Sequence, residues 1–316
     1  MSPRRLRAAC LAAALAAASS AAWPLMAAEL GFLTNQSANS VWEVDLATGA
    51  KLREWPVPGA PAGVAVAPSG LVYVTSPENG TVTVIDPVSA EATPIALGGG
   101  PLGIAANPAS GAVYVADWYA DSVAVIEEGR VTGKVGVGRS PSGLAVTPDG
   151  AILLSADRDG DQISVIDTAT LTRLATIPVG TRPFGITISA DGARAYAANV
   201  GSNSVSVIDL AARAVIGTVP TGERPYKVAL AGGRGFVSNS YDDSVTAFDL
   251  ASLEPLGDID VGEYPEGIEA SPDGARIYVS NWFSNTLSVL DPVTLAVTRE
   301  IEAGDGPRSF GDFIRD

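Results

Sequence analysis

The sequence has 316 residues, 47% of them hydrophobic and 17% charged, with 34 glycines and 22 prolines. Such a chain can bury a large core and is rich in turns, which excludes an intrinsically disordered protein. Its formal net charge of −15 argues against nucleic acid and against an anionic membrane surface as partners.

The first element in chain order is an export signal. Arg4, Arg5 and Arg7 precede an Ala/Leu-rich run, and small residues follow near Ala22 and Ala27–Ala28. This pattern predicts a cleaved signal peptide over residues 1–28, a periplasmic or secreted protein, and no membrane anchor. Cys10, the only cysteine, falls in that segment. The mature chain is therefore expected to have no disulfide, although an oxidising compartment would permit one.

A repeat fills the remainder. A proline opening a "PxG"-like phrase recurs at Pro61, Pro101, Pro141, Pro183, Pro225, Pro265 and Pro307, in steps of 40, 40, 42, 42, 40 and 42 residues. An acid closing a "VID"-like phrase keeps the same period at Asp45, Asp86, Glu127, Asp167, Asp209, Asp249 and Asp291. Each unit reads as four short strands rich in Val, Ile and Tyr, as in "PSGLAVTP" (141–148), "GARIYVSN" (274–281), "NSVSVID" (203–209) and "RLATIPVG" (173–180). Pro148-Asp149-Gly150 and Pro272-Asp273-Gly274 read as turns between strands one and two. The acid after strand three, with Thr or Ser three residues on, reads as an Asx-type turn.

Four-stranded units of about 40 residues mean a β-propeller. Six units are complete. Residues 30–57 supply strands two to four of a seventh, and "PRSFGDFI" (307–314) supplies its missing first strand. The expectation is an all-β, seven-bladed propeller over residues 29–316, four antiparallel strands per blade, closed by a C-terminal strand joining the N-terminal blade. Sharing a blade between the termini covers an edge that would otherwise stay open.

The phrases "YVTS" (73–76), "YVAD" (114–117), "YAAN" (196–199), "FVSN" (236–239) and "YVSN" (278–281), followed by "VSVID"-like strands, resemble the YVTN family of β-propeller repeat proteins. More distantly the pattern is similar to the propeller subunits of quinone-cofactor amine dehydrogenases. The resemblance covers roughly residues 30–314 and implies the fold. It implies secreted or periplasmic binding and surface-layer proteins, and it assigns no catalytic residue, because one fold hosts many activities.

The absence of histidine excludes a His-based triad, His metal ligands and axial His ligation of haem. Carboxylate, Lys, Tyr or Ca²⁺-assisted chemistry remains. Calcium-dependent lactonase propellers use Glu, Asn and Asp near the axis. Here Asp117, Asn199, Asn281, Glu266 and Glu269 would have to bring oxygens to about 2.3–2.6 Å from one centre.

Comparing the repeats with one another locates the candidate site. Around the recurring Pro the early units are bland, whereas later ones carry Arg182, Phe184, Arg224, Tyr226, Tyr264, Glu266 and Arg308. The loops between strands two and three add Trp118, Tyr119, Tyr241, Trp282 and Phe283 on the same face. Lys227 and Glu269 replace small residues deeper in two consecutive first strands, as an ion pair in the channel or as part of a polar site with Glu266 and Arg308. The expectation is an aromatic, Arg-rich funnel that binds a small anionic or aromatic molecule or a segment of a partner protein. On this reading the chain is a monomeric, non-enzymatic binding or scaffold protein with no cofactor and no metal. The alternative is an enzyme or enzyme subunit, either a lactonase-like hydrolase using Ca²⁺ or carboxylates, or the propeller of a quinone-dependent dehydrogenase.

Overall fold

A computed structural model describes residues 29–315. The expected signal peptide and Cys10 lie outside the described residues. Seven sheets are arranged around one axis, each with four antiparallel strands, and one of them carries a fifth, parallel strand. Blade 4 is representative, with strands Pro141–Val146, Ile152–Asp157, Gln162–Asp167 and Thr172–Pro178 from axis to rim.

Burial follows position in the blade. Second and third strands are packed on both faces by neighbouring blades, so "IYVSN" of Ile277–Asn281 is buried throughout. Outer strands are mostly exposed, and in Ala296–Glu302 only Ile301 is buried. Charges such as Arg299, Glu300 and Glu302 on this rim discourage edge-to-edge pairing. Apolar clusters fill the spaces between blades: Phe32, Leu33 and Val44 pack with Tyr278, Leu287 and Val289 across the join of first and last blades.

The turns form as the sequence predicts. The Asp45 carboxylate accepts N–H bonds from Ala47 and Thr48, each at 2.9 Å, and Asp291 accepts from Val293 and Thr294. Hydrogen bonding to the ionised form holds the carboxyls of Asp86, Asp167, Asp249 and Asp291 below the usual range.

The inner strands build the axis. In blade 4 the register slips between the pairs Pro141↔Asp157 and Leu144↔Ser155, leaving one extra residue as a bulge. The same slip recurs in blades 3, 5, 6 and 7. Glycine is needed there because the next blade's backbone arrives: a Cβ on Gly103 would overlap the Ser142 carbonyl oxygen, and one on Gly185 that of Tyr226.

The chain closes as expected, with a detour. Pro307 bridges Asn35, and Ile314–Arg315 pairs with Gly31 and Leu30. The residue opposite Gly31 is the seventh after the proline, whereas the corresponding pair in blade 4, Leu153↔Val146, uses the fifth. The two extra residues let Phe310–Asp312 leave blade 1 and run parallel to Gly63–Val66 of blade 2. Gly311 makes this possible at φ +140, where any Cβ would strike Val64.

Lys227 and Glu269 serve this detour. The Lys227 ammonium donates to the Gly311 carbonyl and lies 3.1 Å from Asp312 Oδ1. Glu269 Oε2 accepts the N–H groups of Phe313 at 2.6 Å and Ile314 at 3.1 Å. The expected Lys227–Glu269 pair is therefore not formed. Each side chain satisfies a segment whose polar groups have left the regular ladder.

Candidate functional site

The side chains that follow the recurring prolines converge on the axis, where Ala62, Leu102, Phe184 and Tyr226 pack in one cluster with Phe310. These side chains are Ala62, Leu102, Ser142, Phe184, Tyr226, Glu266 and Arg308, and all but Arg308 are buried. Together with Phe310 they close the channel. Phe184, Tyr226 and Phe310 meet in one cluster, with ring centroids 4.2, 5.0 and 5.6 Å apart. Phe184 and Tyr226, expected as ligand contacts, pack together and form the base of a cavity.

Above this base is a cavity of about 600 Å³ on the face of the "xPxG" loops. A second ring of residues follows the second strands: Gln36, Trp118, Arg158, Val200 and Trp282 line it. One wall is an unbroken run of rings. Tyr241 lies 5.4 Å from Tyr264, and Tyr264 lies 6.0 Å from Trp282 and 5.2 Å from Phe283.

A backbone device aims this wall. Arg224 and Tyr264 sit at φ +55 and +58, the left-handed region that side-chain-bearing residues avoid. Each is held by a side chain from the preceding blade: Asn203 Oδ1 accepts the Arg224 N–H at 3.0 Å, and Asp243 Oδ1 accepts that of Tyr264 at 2.8 Å. Asn39, Asp121, Asp161 and Asn285 hold Ala60, Ser140, Arg182 and Gly306 in the same way.

Three arginines line the cavity in different electrostatic states. Arg158 lies over Trp118 and pairs with Asp159 at 2.8 Å. Arg308 Nε lies 2.8 Å from Glu266 Oε2, and its Nη2 donates to the Tyr226 hydroxyl. Arg224 lies on the Tyr241 ring, 4.3 Å from its centroid, and donates to its hydroxyl at 2.8 Å. Among the described residues no carboxylate lies within 4 Å of Arg224, and its charge acts on Glu266 only from farther away.

Burial raises the pKa of Glu266, and Arg308 together with the Tyr226 hydroxyl opposes that rise. Burial disfavours the charge on Arg308, but Glu266 and Tyr226 more than offset it. Burial also pushes Tyr264 up to about 12. Glu266 Oε2 and Arg308 Nε are close without an aligned hydrogen bond between them, so both keep bonding capacity.

The structure gathers Trp118, Phe184, Arg224, Tyr226, Tyr264, Glu266, Trp282, Phe283 and Arg308 around one cavity. It does not bring in four other expected residues. Arg182 is exposed outside the cavity, and Tyr119 is exposed against Gly100. Lys227 and Glu269 lie beyond the plugged axis, on the opposite side. The five residues that the alternative calcium reading would need do not converge. Asn199 donates to Ser204 and Ser206, Asn281 to Thr286 and Ser288, and Asp117 accepts from Gly100, Tyr119 and Ala120. Among the described residues no group of three His, Cys, Asp or Glu could hold a metal ion.

Gln36, Arg158 and Val200 are site residues that the sequence reading missed. The signal was present: each occupies the repeat position of Trp118 and Trp282. Only aromatic members of that column stood out.

The chain matches no protein-family model and no curated protein, so the family suggested by its repeats is not shown. Solved structures do match. The periplasmic gluconolactonase PpgL of Pseudomonas aeruginosa is 22% identical, over 91% of this chain and 99% of its own, with a TM-score of 0.72. Hydrazine synthase of Kuenenia stuttgartiensis is 22% identical, over 80% and 89%, at 0.70. Dihydro-heme d1 dehydrogenase NirN is 17% identical, over 88% and 74%, at 0.65. At these identities the likeness is one of fold. These neighbours include enzymes.

Proposed function

We propose that the aromatic cavity binds and hydrolyses a small anionic cyclic ester of the sugar-lactone class. The observation that carries this reading is the grouping of Glu266, Arg308 and Tyr226 at the base of the cavity. It combines a buried carboxylate, a guanidinium 2.8 Å away and a hydroxyl bonded to that guanidinium. Kinship of fold with a periplasmic gluconolactonase supports the substrate class.

Each group has a task. The Tyr264–Trp282–Phe283 wall takes the apolar face of a sugar ring. Arg224 takes the anionic substituent, because Arg158 and Arg308 already have carboxylate partners. Glu266 accepts a proton from water as that water attacks the ester carbonyl carbon, and Arg308 stabilises the oxyanion that forms. Collapse of the oxyanion breaks the ring C–O bond. Glu266 returns its proton to the departing alkoxide, and the product is a hydroxy acid. The Arg, Ala and Leu pattern of residues 1–28 makes the periplasm or the exterior the place of action, with the chain acting as a monomer.

A second reading, ligand binding without turnover, rests on the same pair. With Arg308 beside it, Glu266 is a weaker base. The test is hydrolysis of a panel of aldonolactones with and without an anionic substituent such as a phosphate, followed by base uptake at constant pH. Glu266→Gln should lower turnover by about 10²–10⁴-fold, the usual contribution of a general base, while product binding persists. Unchanged turnover in Glu266→Gln would refute the catalytic role. Binding of the lactones without turnover in the parent protein would favour the second reading.

A further inference from the structure

The clefts between neighbouring blades are not alike. Among the described residues, an arginine of one blade caps the turn after the next blade's third strand in four of these clefts. Arg53 donates to the Pro87 carbonyl, and Arg194 to that of Leu250 at 3.0 Å. Arg234 donates to the carbonyls of Pro292 and Val293, and Arg299 to those of Leu46 and Ala47. Each acceptor is one or two residues after the recurring acid. Such carbonyls lie outside the strand ladders, and a planar guanidinium reaches two of them at once.

The cleft between blades 3 and 4 has the acceptors and lacks the donor. Thr168 and Ala169 follow Asp167 in the same way. Among the described residues their carbonyl oxygens receive no hydrogen bond from the protein, and the Thr168 hydroxyl is turned to Gly150 and Ala151. Arg194 and Arg234 stand two residues before Tyr196 and Phe236, whereas Ala112 stands two before Tyr114. Arg53 and Arg299 pair across their blades with Glu43 and Val289, whereas Gly133 pairs with Val125. Small residues thus occupy both places from which an arginine could reach. The space is a cavity of about 510 Å³ lined by Ala112, Thr168 and Ala169, with Val125 and Leu171 as apolar walls and Glu127 beside them. In the cleft between blades 4 and 5, Ile152 takes the arginine's place and the cavity is smaller, about 390 Å³.

We propose that the cleft between blades 3 and 4 is a binding site for an alkylguanidinium group, the chemistry of an arginine side chain supplied from outside this chain. The guanidinium donates to the Thr168 and Ala169 carbonyls, as the chain's own arginines do at the equivalent turns. Its alkyl stem lies along Val125 and Leu171. Glu127 accepts one bond, from the Thr132 hydroxyl at 2.8 Å, and keeps acceptor capacity for the remaining N–H groups. The net charge of −15 steers cations toward the protein.

The probe is n-butylguanidinium, titrated into the isotopically labelled full chain and followed by the amide NMR shifts of Ala112, Thr168 and Ala169. Reading these amides separates the cleft from the upper, aromatic cavity. n-Butylammonium and 1-butanol are the controls, because neither has a planar fork, and the guanidinium should bind at least about five-fold more tightly than either. Ala112→Arg puts an internal guanidinium into the cleft and should abolish the shifts. If that variant does not fold, Ala112→Leu decides: it carries the residue that blade 2 has at Leu71, fills the space without a donor, and should abolish them too. Agmatine and N-acetylarginine methylamide distinguish the two sources of the group, a free small molecule or a side chain on a polypeptide, by which binds more tightly. Butylammonium or butanol binding as well as butylguanidinium, shifts that persist in a folded Ala112 variant, or no shift at these amides at millimolar probe would each overturn the proposal.

Discussion

Glu269 shows what one atypical residue does in a repeat. Its counterparts in the other inner strands are Ala65, Ala105, Ala145, Thr187, Ala229 and Gly311, because the axis is crowded. The carboxylate is present to accept two N–H groups that the C-terminal detour would otherwise leave unpaired. This has a consequence for stability. The pKa of Glu269 is raised above its unfolded value to about 8, so the folded chain holds a proton that the unfolded chain releases. Stability should therefore decline as pH rises from about 4.5 to about 8, and level off above that. The slope for one proton is at most about 1.4 kcal/mol per pH unit. Denaturant unfolding of Glu269→Gln across this range should show a flatter profile than the parent. Identical profiles would mean that the carboxyl titrates normally. The substitution was visible in the sequence as a break in a column of small residues, but its partner was not. Lys227 was the opposite charge in the preceding first strand, whereas the actual partners are backbone groups placed by an insertion.

At the level of elements, the sequence was most legible where one residue satisfies its own neighbourhood. The turns after Asp45, Asp167 and Asp291 form from side chain to backbone within three residues. Contacts between blades were harder to read. Asn39, Asp121, Asp161, Asn203, Asp243 and Asn285 recur at the repeat period, yet each resembles an ordinary polar turn residue. Their task, gripping the next blade's loop, shows only when two blades are side by side. The same blindness hid Arg158, whose value to the cavity depends on its place in a ring. Asp243→Ala should remove the bond that holds Tyr264 in its left-handed backbone. We expect a loss of about 1 kcal/mol in stability and weaker ligand binding in the upper cavity, with Glu266 and Arg308 undisturbed. Thermal melts and product titration measure the two effects separately. Unchanged affinity beside a lowered Tm would mean that the wall tolerates a mobile Tyr264.

For the whole molecule, the period of the repeat fixed the blade count, and the orphan phrase at the end fixed how the ring closes. Two inserted residues determined what that closure does. They place Phe310 in the axis, separate the upper cavity from the opposite mouth, and bring Asp312 to that mouth. Removing residues 305–316 should strip Phe310 and Phe313 from the core at roughly 1.5–3 kcal/mol each. It would also expose the edge of Leu30–Asn35. A truncated chain melting within a degree or two of the parent would contradict this account of closure. The central claim is that the upper cavity, with Glu266 and Arg308 at its base, is where the ligand is handled. The most direct measurement is a crystal structure of the protein soaked with an aldonate, the product of lactone hydrolysis. The carboxylate should lie within hydrogen-bonding distance of Arg308, with the polyol against Tyr264 and Trp282. A well-ordered aldonate bound elsewhere, or an upper cavity still empty at saturating aldonate, would contradict it.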